Sequence, residues 1–425
     1  MTINAKDLLE LLRYPAALLV ILLIYPPLLA WLGRFGLRLP AGGRAGSLAQ
    51  PYTREFLARH RSTAIFLAMI AVAALLPFVV TLPVLNEFQT QNVWLTGFSY
   101  AGVFVLLAIG LNIVVGLAGL LDLGYAAFFA IGSYTYAFGA SPFSHNHFPF
   151  LLLIIVGAIV AATFGVLLGA PTLRLRGDYL AIVTLGFGEI VPIVFLNAGE
   201  FTEGTNGIGG IYKPDLPLLE TFSILNPWPF YLIMAIMIAA VMILVYKLER
   251  SRLGRAWMAV REDELAAAAN GINTVTTKLL AFSLGASTSG FAGAFNASYL
   301  QIVSPDQFSF TVSFTVLAMI VLGGMGNIWG VAMGAFILYN IQVVLLHQLN
   351  TFFDNFHLPH PNFIEYQFLL FGLALVFMML LRPEGLFPSQ RRKRELHAAE
   401  EMEGAELPGA DEMGSLDPSS SEVQL

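Results

Sequence analysis

Long apolar stretches recur along nearly the whole chain, and they constrain its fold more than any other feature. A helix needs about 20 apolar residues to cross the hydrocarbon core of a bilayer. Only 12% of the 425 residues are charged, against about 25% in soluble domains. The sequence therefore predicts an all-α, polytopic integral membrane protein with about ten or eleven spans, some broken by glycine clusters. The predicted spans are 14–32, 62–82, 95–117, 120–140, 150–170, 178–198, 228–247, 278–300, 310–325, 327–346 and 364–381.

The two ends of the chain differ from its centre. Residues 1–94 predict an N-terminal extension with two membrane helices and a basic loop, and 95–388 form the main membrane domain. The first apolar stretch has no small-residue cleavage site, so we expect a retained helix rather than a signal peptide. Residues 389–425 begin basic and continue acidic, without a Lys or Arg after 394. Their composition predicts a disordered tail.

Basic residues are concentrated on one side of the predicted topology. Placing 33–61, 171–177, 247–278 and the C-terminus on one face collects 19 of the 22 Lys and Arg residues there. Because basic loops are retained on the cytoplasmic side, this distribution predicts that these four segments are cytoplasmic.

Several kinds of chemistry lack their sequence motifs. The chain has no cysteine and no G-x-x-x-x-G-K-[ST] loop, so thiol catalysis, thiolate metal sites and nucleotide hydrolysis through such a loop are not expected. Its seven histidines form no H-E-x-x-H motif. The hydroxyl residues Ser283, Ser287, Thr288 and Ser289 have no histidine in their predicted helix. We expect no catalytic residue, no metal site and no nucleic-acid partner.

Glycines cluster in two segments, 110–134 and 321–336, each flanked by apolar residues. Such clusters are typical of broken or closely packed membrane helices, and they are also consistent with two related halves of a transporter. Simple small-residue packing explains them equally well.

Two acidic residues lie at predicted membrane depth, Asp122 and Glu189. A charge there costs about 2.5–3.5 kcal/mol on insertion scales, so each must face protein or water. Glu189 is suited to carrying a coupling ion, or to a structural pairing with a group such as Asn112, and we favour the structural role. For Asp122 we favour capping the helix that begins near Gly124.

A charge-dense stretch, 251–271, separates two of the most apolar stretches. As one helix it places Leu253, Trp257 and Val260 on one stripe, and Gly271 supplies a stop. Such a helix lies either on the lipid surface or in a groove of a soluble partner. The acids argue against an anionic lipid surface and favour the groove. The charged residues around the stripe are Arg252, Arg255, Arg261, Glu262, Asp263 and Glu264.

Four blocks of sequence resemble one known family. They are RLRGDYLAIVTLGFGEIV (174–191), LGRAWMAVREDELAAAANGI (253–272), IVSPDQF (302–308) and VLGGMGNIWG (321–330). They look like signatures of permease subunits of bacterial ABC importers for branched-chain amino acids, of the longer, LivM type. The resemblance covers roughly 95–388 and would make that region the permease domain.

The resemblance implies a multi-pass protein of the bacterial inner membrane, working with four kinds of partner. They are a second homologous permease, two cytoplasmic P-loop ATPases that hold ATP and magnesium, a periplasmic amino-acid-binding protein, and the lipid bilayer. The segment 251–271 would dock in a cleft on the ATPase and couple it to the permease. Candidate translocation-path residues are Asn112, Asp122, Tyr125, Ser133, Thr184, Glu189, Ser287 and Asn296, each of which would also serve helix packing.

Two other functions compete with this reading. An ion-coupled secondary transporter would depend on Glu189 or Asp122 and on an ion gradient. A membrane scaffold would transport nothing.

Overall fold

The computed structural model describes residues 91–145, 147–172, 178–215, 227–342, 350, 365–381 and 385–387. The predicted helices 14–32 and 62–82, the loop between them and the acidic tail lie outside these residues. The chain divides into two compact units. The first contains 1–96 and 224–231, of which only 91–96 and 227–231 are described. The second contains 97–223 and 232–425, and it carries every contact discussed below.

The described residues are almost entirely helical. Short 3-10 turns lie at Pro142–Ser144 and Pro305–Phe308, and strands β1 (Ile208–Gly209) and β2 (Ile302–Val303) form one antiparallel pair. The helices are α1 (Gln91–Asn112), α2 (Tyr125–Gly139), α3 (Phe150–Thr172), α4 (Asp178–Asn197), α5 (Gly199–Thr202), α6 (Trp228–Glu249), α7 (Arg252–Glu262), α8 (Glu264–Ala269), α9 (Thr274–Leu300), α10 (Phe310–Gly323), α11 (Ile328–Asn340) and α12 (Gln367–Leu381).

Five of the described helices are long and apolar enough to cross a membrane. They are Trp94–Leu117, Phe150–Pro171, Tyr179–Asn197, Trp228–Glu249 and Pro305–Gly323. These confirm an all-α, polytopic membrane protein.

Helix α9 is the centre of the larger unit, where it packs against α2 and α3. Most of its residues from Ala281 to Ser298 are buried. Glycine makes this approach possible, because a Cβ at Gly290 would lie 2.6 Å from the Cβ of Ala161 in α3. Small residues at such crossings let helix backbones approach closely. The helix is therefore held by protein on several sides rather than by lipid.

The second glycine cluster brings α10 and α11 together. A Cβ at Gly334 would lie 2.4 Å from the Cα of Gly323, and a Cβ at Gly323 would lie 2.6 Å from the carbonyl oxygen of Gly330. Close packing of small residues thus explains this cluster.

The predicted span 120–140 is wrong at its start, because α2 begins only at Tyr125. The preceding helix ends in a π turn, Ile113–Leu117, whose wider winding is closed by a bond from the Ala118 amide to the Ile113 carbonyl (3.1 Å). Residues 118–124 are not helical, and Gly119 has φ +72°, which ends a right-handed helix. The first glycine cluster therefore contains a real break in the helix.

Candidate functional site

The segment 251–271 folds into two helices, α7 and α8, rather than the single predicted helix. Ser251 caps α7 by accepting bonds from the amides of Leu253 (3.2 Å) and Gly254 (3.4 Å). Asp263 adopts an extended backbone and caps α8, accepting from the amides of Leu265 (2.8 Å) and Ala266 (3.0 Å). A capping Asp satisfies amides that would otherwise lack partners, which explains the break.

The end of α8 agrees with the prediction. Helix α8 stops at Ala269, and Gly271 follows with φ +82°. Such a left-handed glycine is a common helix terminator.

The apolar stripe of α7 faces its own chain, which corrects the prediction that it inserts into a partner's groove. Trp257 is 0% exposed and Val260 is 6% exposed. The Trp257 indole Nε1 donates to the Thr277 carbonyl at the start of α9, at 2.8 Å. The amphipathic pattern predicts a buried face, and burial against α9 satisfies it without a partner. Trp257 therefore fastens the segment to the permease domain.

An ion pair makes a second attachment to α9. The Lys278 ammonium lies 2.7 Å from Glu264 Oε1, and the two side chains are 8% and 32% exposed. A buried lysine requires such a partner, because an isolated ammonium is strongly disfavoured away from water. Glu264 therefore stabilises the position of α8.

The opposite face of the segment is open. Leu265 is 70% exposed and lies on the outer face of α8. Ala266, Ala268 and Ala269 beside it are also exposed, as are Arg252, Arg255, Glu262 and Asp263 on the same segment. The surface available to another molecule is thus a small apolar knob surrounded by charges.

Helix α7 also reaches the broken end of α1. Arg261 Nη1 donates to the Gly116 carbonyl at 2.6 Å. Nearby, Asn112 Oδ1 accepts from the amide of Gly326 at 2.9 Å. The two glycine-rich segments and the charged segment therefore meet at one place.

Most predicted path residues are buried and bonded within the permease. The Tyr125 hydroxyl donates to the Gly285 carbonyl at 2.9 Å, and Ser133 Oγ lies 3.0 Å from the Gly293 carbonyl. These bonds join α2 to α9. Asn112, Asn296 and Thr184 are also buried, whereas Ser287 is half-buried. Their contacts or burial are those expected for helix packing.

Asp122 lies in the break before α2. Its Oδ1 accepts from the amide of Gly124 at 2.9 Å, whereas the first-turn amide of Ala126 donates to Ser313 Oγ at 2.9 Å, so Asp122 does not cap α2 as predicted. The carboxylate is 1% exposed and lines a small cavity with Thr184 and the apolar Phe128, Phe187 and Phe282, among others. Burial raises the pKa of Asp122 to about 6, while the bonds from Gly124 and Thr184 oppose that rise.

Glu189 lies near the middle of α4 and is exposed, so it does not pair with Asn112 within the described chain. Its structural role stays a prediction. Asn112 is 0% exposed and uses its carbonyl oxygen for Gly326. On the same face of α4, a Cβ at Gly186 would meet nothing within 4 Å. Among the described residues no ion pair or hydrogen bond to the Glu189 side chain is formed.

Three contacts of the site are not predicted by the sequence analysis. Lys278 lies at the start of the next helix, α9, whereas Gly116 and Gly326 are distant along the chain from the segment that they contact. Gly116 and Gly326 belong to the glycine clusters, which were the only hint. Within the described residues, no group of three or more His, Asp or Glu side chains is arranged to hold a metal ion.

Comparison with known proteins gives a consistent result. Residues 93–379 match the family described as the branched-chain amino acid transport system permease component. The high-affinity branched-chain amino acid transport permease LivM of Escherichia coli K12 is 41% identical over 317 residues, which is 69% of this chain and 70% of that protein. A probable LivM permease of Methanocaldococcus jannaschii is 26% identical and covers 69% of this chain and 88% of its own.

A second type of permease is also similar. LivH of Escherichia coli K12 is 25% identical over 305 residues, covering 68% of this chain and 92% of that protein. No solved structure matches the chain.

Proposed function

The chain belongs to the family of branched-chain amino acid transport permeases, and from this premise we propose that it imports branched-chain amino acids as part of an ATP-driven complex. It is a multi-pass membrane protein and a permease of a transport system. The likeness to both LivM and LivH proteins implies a pair of permeases. In this proposal the complex lies in a bacterial inner membrane and receives its substrate from a periplasmic amino-acid-binding protein.

The observation that carries the proposal is the attachment of α7 and α8 to the permease domain together with the open face of α8. Energy for transport comes from two cytoplasmic P-loop ATPases, which hold ATP and magnesium. This chain supplies the segment 251–271, which would transmit movement of the ATPases to the permease, rather than a nucleotide site. The positive-inside distribution of Lys and Arg supports a cytoplasmic position for 251–271.

We assign the contact with the ATPase to the exposed face of α8, centred on Leu265. An exposed leucine is suited to a groove on a soluble partner, because its burial stabilises a complex by about 1.5–3 kcal/mol. The acids Glu262 and Asp263 beside it would add charge selectivity and steer the approach. Trp257 and Glu264 would hold the segment in place from behind.

The exposed face of α4 would contact the second permease. A carboxylate in the middle of a span is disfavoured against hydrocarbon, so Glu189 needs a donor or a cation on whatever covers it. The open space above Gly186 leaves room for a closely packed helix. We therefore propose that a helix of the second permease covers this face and presents a hydrogen-bond donor or a basic group to Glu189.

Reconstitution tests the function. The chain is purified with its permease, ATPase and binding-protein partners, and the complex is placed in proteoliposomes. The vesicles should accumulate leucine, isoleucine or valine only when ATP is present on the side of the membrane that carries the ATPases. Transport that follows a proton or sodium gradient without ATP would support the ion-coupled alternative. A complex that binds these partners and moves no amino acid would support a scaffold.

Cysteine crosslinking tests the α4 face. The chain has no cysteine, so Gly186→Cys would introduce its only thiol. We expect this thiol to crosslink to the second permease, and we expect Ile155→Cys on the exposed side of α3 not to do so (Ile155 is 55% exposed). Labelling of Cys at 186 by a water-soluble maleimide in the assembled complex would instead show that this face lines an aqueous path.

A further inference from the structure

Arg261 connects the charged segment to the broken end of α1. Its Nη1 donates to the carbonyl of Gly116 at 2.6 Å, within the π turn Ile113–Leu117. We propose that Arg261 is a positioning residue that transmits movement of α7 to the end of α1, and through it to the translocation path. This inference rests on the proposed function, because it assumes that α8 receives its movement from an ATPase.

A guanidinium is well suited to the end of a helix. The last carbonyls of a helix lack amide partners within it, and they carry the negative end of its dipole. Gly116 is the fourth of five residues in the π turn that ends α1. A permanently charged side chain with several donors can follow such a carbonyl as it moves. The bond is therefore both attractive and directional.

Gly119 and Gly326 leave space for the Arg261 side chain. A Cβ at Gly119 would lie 2.6 Å from Arg261 Cγ, and a Cβ at Gly326 would lie 3.6 Å from Nη1. Both glycines have positive φ, at +72° and +77°. Arg261 thus passes between the break after α1 and the turn before α11.

The same place joins three parts of the permease. Asn112 Oδ1, one residue before the π turn, accepts from the Gly326 amide at 2.9 Å. The turn between α10 and α11 is thereby bonded to the end of α1. A displacement of Arg261 acts on both at once.

The segment is also held at its other side by α9. Trp257 bonds the Thr277 carbonyl at 2.8 Å, and further along α9 a Cβ at Gly285 would lie 2.6 Å from Val114 Cγ2 in the π turn. Helix α7 therefore contacts both α9 and the π turn of α1, and those two contact each other further along α9. Isolated π turns are frequent at functional sites and can change winding locally. We infer that a shift of α7 rewinds this turn.

Transport stoichiometry tests the inference. In the full reconstituted complex we expect Arg261→Gln to keep ATPase co-purification and ATP hydrolysis while amino acid transported per ATP falls about tenfold, as for loss of a charge-assisted bond. Arg261→Lys, which keeps the charge, should restore part of the ratio. Arg250→Gln is the matched control, since Arg250 is exposed and lies outside 251–271.

The results that overturn the inference are distinct from those that overturn the function. A transport-to-ATP ratio for Arg261→Gln equal to that of Arg250→Gln would refute transmission through Arg261. Loss of ATPase co-purification in Arg261→Gln would place Arg261 in docking instead and would also refute it. Absence of ATPase co-purification with the unaltered chain would refute the proposed function itself.

Distance measurements distinguish transmission of movement by Arg261 from a purely structural role of this residue. Spin labels at Ala259→Cys in α7 and Leu121→Cys in the break should keep one separation with and without ATP, because Arg261 makes the two parts move together. With Arg261→Gln added, ATP should change that separation. An ATP-dependent change already present without Arg261→Gln would refute the inference.

Discussion

Trp257 and Leu265 lie on the same short segment, and the structure predicts opposite consequences of truncating them. Trp257 is 0% exposed and bonded to the Thr277 carbonyl, whereas Leu265 is 70% exposed. Trp257→Ala should therefore destabilise the permease itself. Leu265→Ala should leave the permease intact and weaken its binding to the ATPase.

The magnitudes follow from burial. Replacing a buried tryptophan by alanine lowers the free energy of unfolding by about 3–5 kcal/mol. That range already includes the loss of the hydrogen bond from the indole. For Leu265 the folded permease should change by less than about 0.5 kcal/mol, as is usual for exposed positions. Burial of a leucine in a complex is worth about 1.5–3 kcal/mol, so the affinity for the ATPase should fall about tenfold or more.

Two measurements separate these effects. Unfolding of the purified permease in mixed micelles by a denaturing detergent gives the stability of each variant without the ATPase. Titration of the ATPase onto the immobilised permease gives the affinity. Unchanged stability for Trp257→Ala together with lost affinity would refute the assignment of Trp257 to the interior. Unchanged affinity for Leu265→Ala would refute the assignment of the docking face.

Three further predictions concern the interior of the permease. Lys278→Met alone should destabilise the permease, because it leaves Glu264 without its cation. Combined with Glu264→Gln, it should leave the stability of the permease unchanged or raise it. A double-mutant cycle by detergent unfolding should give a coupling of about 1–3 kcal/mol. Gly290→Leu should prevent α9 from packing on Ala161, and the yield of folded protein by size-exclusion chromatography should fall while Gly186→Leu has no such effect. Because burial raises the pKa of Asp122 from 3.8 to about 6, this group favours the folded state fully below pH 3.8 and loses its contribution as pH rises through 6. Asp122→Asn should remove up to about 3 kcal/mol of pH dependence between those values, and an unchanged pH profile of unfolding would contradict the burial argument.

Hydrophobic length predicts most helices here, but it does not predict what surrounds them. Helices α1, α3, α4 and α6 are recognisable because each has about 20 apolar residues in succession. Helix α9 is also recognised, yet its position at the centre of the unit depends on Gly290 meeting α3, which is a contact between distant parts of the chain. Periodicity is local, and helix packing is not.

The candidate site shows the same limit. The pattern of Leu253, Trp257 and Val260 predicts one buried face, but it does not distinguish burial against α9 from burial in a partner. The break at Asp263 has a local signal in the sequence, since Asp is a favoured capping residue. The charged residues continue across this position, however, and that pattern also fits one continuous helix. The sequence predicts that Glu189 lies at membrane depth. It does not predict which way this side chain points, because that depends on the neighbouring helices.

The proposed function requires the segment 251–271 to lie in the cytoplasm, where an ATPase can reach it. Leu265→Cys introduces a single exposed thiol on α8, in a chain with no other cysteine. Labelling with a membrane-impermeant maleimide should fail in intact spheroplasts and succeed in inverted membrane vesicles prepared without the ATPase. Labelling of this thiol in intact spheroplasts would place the segment outside the cytoplasm and contradict the account.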